Sequence, residues 1–263
     1  MTSADARYWL DVGEAWTGRS RDRLWRRHCD SVNARLLMRW LPAAPVPRLL
    51  KTDLFDEALT GGLDPSLRAR GSLVVGMDLA QAIARTAAER CPELRSVRAD
   101  LRRLPFADGS FDVAVSLSTL DHFHSEDELR AGLREIGRTL RPEGRLLLTL
   151  DNPGNPLVAL RNALPFALLH RLGIVPYFVG VTCGARRLPS LLEQAGFAVI
   201  EMSAVMHCVR VLAVPLCALV ERIAGEPTRS ALLRLLMSVE RLASLPTRFA
   251  TGNYVAVLAR KTG

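Results

Sequence analysis

Through the middle of the chain, short apolar runs alternate with segments of helical period. Residues 47–52, 72–77 (SLVVGM), 95–99, 111–117 (FDVAVSL) and 145–150 (RLLLTL) read as strands. The second stops at Asp78 and the third at Asp100. Between them, 79–90 and 126–140 carry apolar residues at helical spacing, with Ser125 placed as an N-cap. Strands separated by helices of this length predict βαβ units and a parallel sheet. The nearly continuous apolar character of the strands predicts a sheet covered on both faces.

The flanks have another pattern. Residues 1–42 read as helices anchored by Trp9, Trp16, Trp25 and Trp40. Residues 153–182 are apolar and broken by Pro153, Pro156, Pro165 and Pro176. A helix at 186–195 ends before Gly196 and is followed by a strand at 197–205. A helical stretch at 209–245, interrupted near Gly225 and Pro227, precedes a last strand at 253–259. The expected organisation is a helical lid at 1–42, a ligand-binding core at 43–152, and pocket insertions with the last two strands at 153–263, all in one integrated unit.

Composition narrows the class. The 263 residues are 49% apolar and 24% charged, enough to build a core without disulfide or metal staples. Net charge is +8, almost all from arginine, since only Lys51 and Lys261 are lysines. The arginines are scattered. The run from Arg19 to Arg27 around Trp25 reads as a solvated helix face, so no nucleic-acid partner is expected. The charge favours anionic partners or a membrane surface weakly. Cys29, Cys91, Cys183, Cys208 and Cys217 form no C-x-x-C pair, which speaks for a reducing compartment and against a zinc site. The first sixteen residues contain no apolar signal core, and no apolar run is long enough to span a bilayer, so a cytoplasmic location is expected.

In an open parallel sheet, ligands bind beyond the carboxyl ends of the strands. Asp78 ends the second strand, where a carboxylate can accept both hydroxyls of a ribose. Asp100 ends the third, where it can accept from an adenine amino group. Each could instead merely cap a helix. After the fourth strand comes Ser116-Leu117-Ser118-Thr119-Leu120-Asp121-His122.

These positions, in this order, resemble a known family. Asp100-Leu101, Leu104-Pro105-Phe106 and Asp108-Gly109-Ser110-Phe111-Asp112 resemble the D-x-x-x-L-P-F-x-D-x-S-F-D segment of class I S-adenosylmethionine-dependent methyltransferases, small-molecule branch. Val75-Gly76-Met77-Asp78 is similar to the V-G-x-D segment, Leu120-Asp121-His122 to the L-x-H segment, and residues 133–146 to the R-x-L-[RK]-P-G-G segment. The resemblance covers roughly residues 47–151. It implies an α/β, Rossmann-like, doubly wound seven-stranded sheet with an N-terminal helical lid and helical insertions near the C-terminus. It also implies S-adenosylmethionine as cofactor, and a small, partly hydrophobic molecule as substrate of methyl transfer.

One motif departs from the family. Its glycine-rich loop after the first strand is replaced by Lys51-Thr52-Asp53-Leu54-Phe55-Asp56-Glu57, with no glycine before Gly61. Three readings stay open. The loop is a rebuilt cofactor cradle, with Lys51 toward the cofactor's carboxylate, Asp53 toward its ammonium and Phe55 closing the pocket. Or it is an acidic helix start, with cofactor binding weakened. Or the carboxylates form a divalent-metal site; no metal is expected.

The remaining site expectations follow. Leu79, Leu101 and Ser116 join the cofactor wall. His122, at the cofactor's edge, is the general base, or else packs the adenine or caps the next helix. Tyr8, Trp25, His28, Asn152, Asn155 and Tyr177 are the substrate-binding candidates. The apolar insertion at 157–181 suggests a hydrophobic substrate or peripheral membrane contact, with lid packing as the plain alternative. The protein is expected to be a monomer or homodimer. The rival functions are a non-methylating enzyme on the same fold, such as a cyclase, and an inactive binding module.

Overall fold

The computed structural model describes residues 3–16 and 22–263; part of the basic run at 17–21 and the Trp16 side chain lie outside the described residues. Two helices come first, α1 (Ser3–Trp16) and α2 (Arg23–Trp40). The chain then alternates through β1 (Val46–Lys51), α3 (Phe55–Thr60), α4 (Asp64–Arg68), β2 (Gly71–Asp78), α5 (Gln81–Arg90), β3 (Arg95–Arg98) and β4 (Phe111–Leu117). Next come α6 (Glu126–Thr139), β5 (Leu140–Asp151), α7 (Pro156–Ala163), α8 (Phe166–Arg171), α9 (Leu188–Gln194) and β6 (Phe197–Val205). The chain closes with α10 (Arg210–Ile223), α11 (Glu226–Val239), α12 (Arg248–Thr251) and β7 (Tyr254–Lys261).

The seven strands form one sheet in the order β3-β2-β1-β4-β5-β7-β6. All neighbours are parallel except that β7 runs antiparallel to both β5 and β6. The doubly wound seven-stranded fold expected from the motifs is the fold observed. β5 starts earlier than its apolar run because Leu140 pairs with Phe111 before a register shift. Arg141-Pro142-Glu143-Gly144, with Glu143 at φ 64°, carries the chain from that bridge into the apolar run.

Period two along the strands divides the core. Leu50, Leu146, Leu148 and Leu150 face a cluster completed by Leu129, Leu133 and Ile136 of α6 and Leu188, Leu191 and Leu192 at α9. Leu49, Val113, Val115 and Leu147 face the opposite way, onto Leu36, Leu37 and Trp40 of α2 and Ile83 and Ala87 of α5. The Ser125 hydroxyl accepts from the Glu128 N–H, the cap the sequence predicts, and Gly196 ends its helix at φ 82°. A third cluster joins Leu24 and Trp25 of α2 to Cys208, to Ala213 and Cys217 of α10, and to Leu232 and Leu236 of α11. Strand order reverses at β1, between β2 and β4, and the crevice opens there. α1 covers it, packed so closely on α5 that a Cβ on Gly13 would lie 3.1 Å from Ile83.

Candidate active site

A cavity of about 770 Å³ lies over the carboxyl ends of the strands, within the range typical of small-molecule sites. Its floor is made by the residues that follow each strand: Thr52 and Asp53 after β1, Asp78 and Leu79 after β2, Asp100 and Leu101 after β3, Ser118 and Thr119 after β4. Trp9 and Gly13 of α1 roof it; Trp25, Arg26 and Cys29 of α2 line one side; Tyr177 and the aliphatic residues of α7, α8 and α10 line the other.

On the β2–β3 side, Asp78 accepts from the Ala80 N–H at 2.8 Å and the Leu54 N–H at 3.1 Å. Burial pushes its carboxyl up to about 6, against the opposing pull of these two amides. Asp100 is gripped by the Arg102 fork, Nε and Nη2 both at 2.9 Å. Burial works to raise its pKa, and the Arg102 hydrogen bonds outweigh it and hold the carboxyl below its usual value. Arg102 is anchored in turn by Glu128 at 2.9 Å. Both carboxylates therefore face the cavity in fixed orientations.

The loop that replaces the glycine-rich motif is built on Lys51. Its ammonium is buried and donates to the Asp53 carbonyl at 2.7 Å, to Asp53 Oδ1 at 3.1 Å and to Glu57 Oε2 at 2.8 Å. All three N–H donors are used inside the protein, so Lys51 does not line the cavity. The expectation that it meets a cofactor carboxylate is corrected: an extended strand end followed by a helix start brings Asp53 and Glu57 onto it instead. Asp53 does line the cavity, held by Lys51 and by the Thr119 hydroxyl at 3.1 Å. Glu57 points inward and also accepts from the Leu63 N–H at 3.0 Å. Asp56, in the first turn of α3, pairs with Arg26 at 2.6 Å. Asp53 and Glu57 thus converge on the Lys51 ammonium, while Asp56 turns away to Arg26, so each carboxylate of the cluster is matched by a cation of the chain. Leu54 fills the space against β2, which is why position 76 is glycine: a Cβ there would sit 2.3 Å from a Leu54 methyl.

His122 sits in a short 3-10 turn, Leu120–His122, after β4. Its Nδ1 lies 2.9 Å from the Phe178 carbonyl, which only a protonated Nδ1 can satisfy, so the neutral ring presents Nε2 as an acceptor. Burial lowers its pKa, outweighing the Phe178 carbonyl. Trp9 packs on the ring at 4.5 Å and Tyr177 edge-on at 5.6 Å; Phe55 meets Tyr177 at 6.1 Å. The turn is locked from below: Asp121 accepts from the Ser118 hydroxyl at 2.8 Å and the Asp151 N–H at 3.0 Å. It is locked from above by Gly180, whose N–H donates to the Asp121 carbonyl at 2.7 Å. A Cβ on Gly180 would lie 2.0 Å from the Phe123 carbonyl oxygen, so only glycine allows this approach.

Other expected site residues are placed elsewhere. Ser116 is buried under the floor, its hydroxyl 2.9 Å from that of Thr52; Ser118 and Thr119 line the cavity in its place. His28 packs on Trp25 with Nε2 3.6 Å from Cys208 Sγ, and burial lowers its pKa to about 4; it serves the third core cluster. Asn152 and Asn155 turn their amides to backbone carbonyls at Phe249, Thr251 and Gly252, fastening the β5 turn to α12. Tyr8 reaches the same lid without lining the cavity: its hydroxyl accepts from the Phe178 N–H at 2.7 Å, supporting the loop that holds His122. Trp25 and Tyr177 do line the cavity.

Two further polar pairs stand on the cavity, Arg161 with Asp151 and Arg210 with Tyr254, and the two arginines are the members the sequence did not point to. No motif marks them, because both arginines begin or sit in ordinary helical patterns and only the sheet order carries them to the site.

Residues 58–148 match the family model described as Methyltransferase domain. The chain is similar to a demethylmenaquinone methyltransferase of Beutenbergia cavernae, 38% identical over 48% of this chain and 47% of the relative. The chain thus spans about half the length of the curated relatives it matches. Among solved structures it resembles geranyl diphosphate C-methyltransferase from Streptomyces coelicolor (TM-score 0.58, 17% identity, 89% of this chain and 79% of that one). It resembles equally the [4+2]-cyclase SpnF (TM-score 0.59, 18% identity, 94% and 86%), which shows the shared fold alone. The motif order, the match of residues 58–148 to the methyltransferase domain model and the strand order agree: the core of the chain is similar in sequence and fold to class I S-adenosylmethionine-dependent methyltransferases.

Proposed function

We propose that this protein transfers the methyl group of S-adenosylmethionine to a small molecule with a substantial aliphatic part. The observation that carries this reading is the pair Asp78, the last residue of β2, and Asp100, two residues after β3, both lining one large cavity whose opposite wall is aliphatic. The residues fit the cofactor. Asp78 would take the ribose hydroxyls, Asp100 the adenine amino group, and Leu79 and Leu101 the faces of the base. Asp53 replaces the missing backbone cradle as an acceptor for the ammonium, with Lys51 as the buried cation that fixes it. The cofactor supplies an electrophilic sulfonium methyl. The Trp9 and Tyr177 rings pack on His122 and offer aromatic surface to a cation, whereas the Phe55 face already carries the Arg26 guanidinium, 4.9 Å from its centroid. The protein's task is to hold a nucleophile in line and take its proton, which His122 Nε2 is placed to do.

Methyl transfer to a library of hydrophobic phenols, enols and amines, followed by product mass, tests the reading. A product heavier by one methyl is expected. Calorimetry showing no binding of S-adenosylhomocysteine would overturn it in favour of a binding module. Cofactor affinity is expected to depend on pH. Ribose hydroxyls donate to the ionised Asp78, so binding is full above about pH 6 and weakens as pH falls through that value. Asp78→Ala should weaken S-adenosylhomocysteine about tenfold or more, and titrations at pH 5 and pH 8 check both points.

The cavity mouth is aliphatic and open. Leu157, Leu160, Leu164 and Val211 line the cavity and are also exposed, Leu160 by 60%. This supports peripheral contact with a membrane surface, helped by the net charge of +8. No helix among the described residues is long and apolar enough to cross a membrane. Co-flotation with anionic vesicles is expected, and Leu160→Glu should abolish it. The five free thiols, four of them buried, support a reducing, cytoplasmic setting.

A further inference from the structure

Among the described residues four arginines line the cavity: Arg26, Arg102, Arg161 and Arg210. Three are neutralised. Arg26 pairs with Asp56, Arg102 with Asp100 and Glu128, and Arg161 with Asp151. Arg210 has no carboxylate within ion-pair distance among the described residues; its partner is the Tyr254 hydroxyl, to which Nη1 donates at 3.1 Å. Tyr254 does not discharge it, because burial pushes that phenol up, and the same holds for Tyr177 nearby. The nearest strand-end acid, Asp151, is already taken by Arg161. A half-buried cation held among Tyr254, Tyr177 and Cys29, with no ion-pair partner among the described residues, is a costly arrangement unless a ligand completes it.

Position indicates which ligand. The nucleoside carboxylates stand over β2 and β3, and His122 follows β4. Arg210 and Tyr254 stand beyond them, over β5 and β7, since Tyr254 is paired with Asp151 across those strands. That is the far side of His122 from the nucleoside half. Val211 and Val214 of the same helix, and Leu157 and Leu160 of α7, line the adjoining wall. We propose that Arg210 and Tyr254 form an oxyanion site for the substrate, so that the substrate is an amphiphile with a carboxylate or enolate oxygen at Arg210 and its aliphatic part along α7 and α10. The Arg210 fork can meet two anionic oxygens, and the neutral Tyr254 hydroxyl donates a third hydrogen bond to the same group. This deepens the methyltransferase reading, on which it rests only for calling the bound anion a substrate.

The test uses the full chain, with and without S-adenosylhomocysteine, and two probes of equal shape: 4-butylbenzoate and its uncharged isostere 4-butylbenzamide. Titration calorimetry should show the carboxylate binding at least tenfold tighter than the amide. Arg210→Gln should erase that preference, Arg210→Lys should keep part of it, and Tyr254→Phe should reduce it severalfold. S-adenosylhomocysteine affinity should stay within threefold in all three variants. Equal binding of the two probes to the wild type would overturn the proposal. So would an Arg210→Gln variant that loses affinity for S-adenosylhomocysteine and keeps the probe preference, since Arg210 would then serve the cofactor's own carboxylate. If Arg210→Gln fails to fold, the wild-type probe ratio and Tyr254→Phe decide. Absence of S-adenosylhomocysteine binding with an intact carboxylate preference would count against the cofactor reading alone.

Discussion

Lys51→Met is expected to lower the melting temperature on the order of 10 °C, the largest stability effect foreseen for a single side chain. The ammonium is buried and donates to three oxygens of Asp53 and Glu57. Removing one partner of a buried ion pair strands the other, at a cost of about 3–5 kcal/mol, and for a chain of this size each kcal/mol moves the midpoint by about 2–4 °C. The deficit also has a pH signature. Without the cation, the buried Glu57 carboxyl has a folded pKa above its unfolded value. Its protonated form then suits the fold at low pH, and stability is lost as pH rises through the folded pKa. The gap between variant and wild type should therefore widen from acid to neutral pH. Adding Glu57→Gln to Lys51→Met should recover part of the loss. A melting point within 2 °C of wild type would show that the loop does not depend on this cation.

His122→Ala is expected to reduce turnover by about 10²- to 10⁴-fold, the range for loss of a positioned base, with S-adenosylhomocysteine affinity within threefold of wild type. The Phe178 carbonyl fixes the proton on Nδ1 and leaves Nε2 as acceptor. Burial lowers the ring's pKa below 6.5, so the neutral, base-competent form persists to lower pH than for an exposed histidine. The acid limb of kcat/KM should fall below pH 6.5 and disappear in the variant. Equal losses of turnover and cofactor affinity would make His122 a binding residue. Unchanged turnover would mean that the nucleophile reaches the site already ionised.

Much of this was legible in the chain because it is local. Each strand run ends on the residue that lines the cavity, as at Asp78 and Asp100, and the strand period sorts Leu49 from Leu50 onto opposite faces. The charged loop at 51–57 was legible as an anomaly, but not as an arrangement. Spacing alone places Lys51 and Asp53 on one side of an extended segment. It does not say that α3 starts at Phe55 and swings Glu57 back onto the same ammonium, consuming the donor expected to face a ligand. Asn152, Asn155 and His28 carry the residue types of a binding site, yet their partners are backbone carbonyls and a thiol brought in from about a hundred residues or more away.

The sequence by itself determined the strand and helix order, the two-sided core and the strand-end carboxylates, because these follow from hydrophobic period and from short motifs read along one segment. Tertiary structure alone decided which polar groups stay available. Lys51 was used up by carboxylates two and six positions on, Arg161 was matched to Asp151, and Arg210 was carried beside Tyr254 with no carboxylate partner among the described residues. A charged side chain in a low-dielectric cavity is defined by what neutralises it, and that partner is chosen by the packing of elements far apart in the chain.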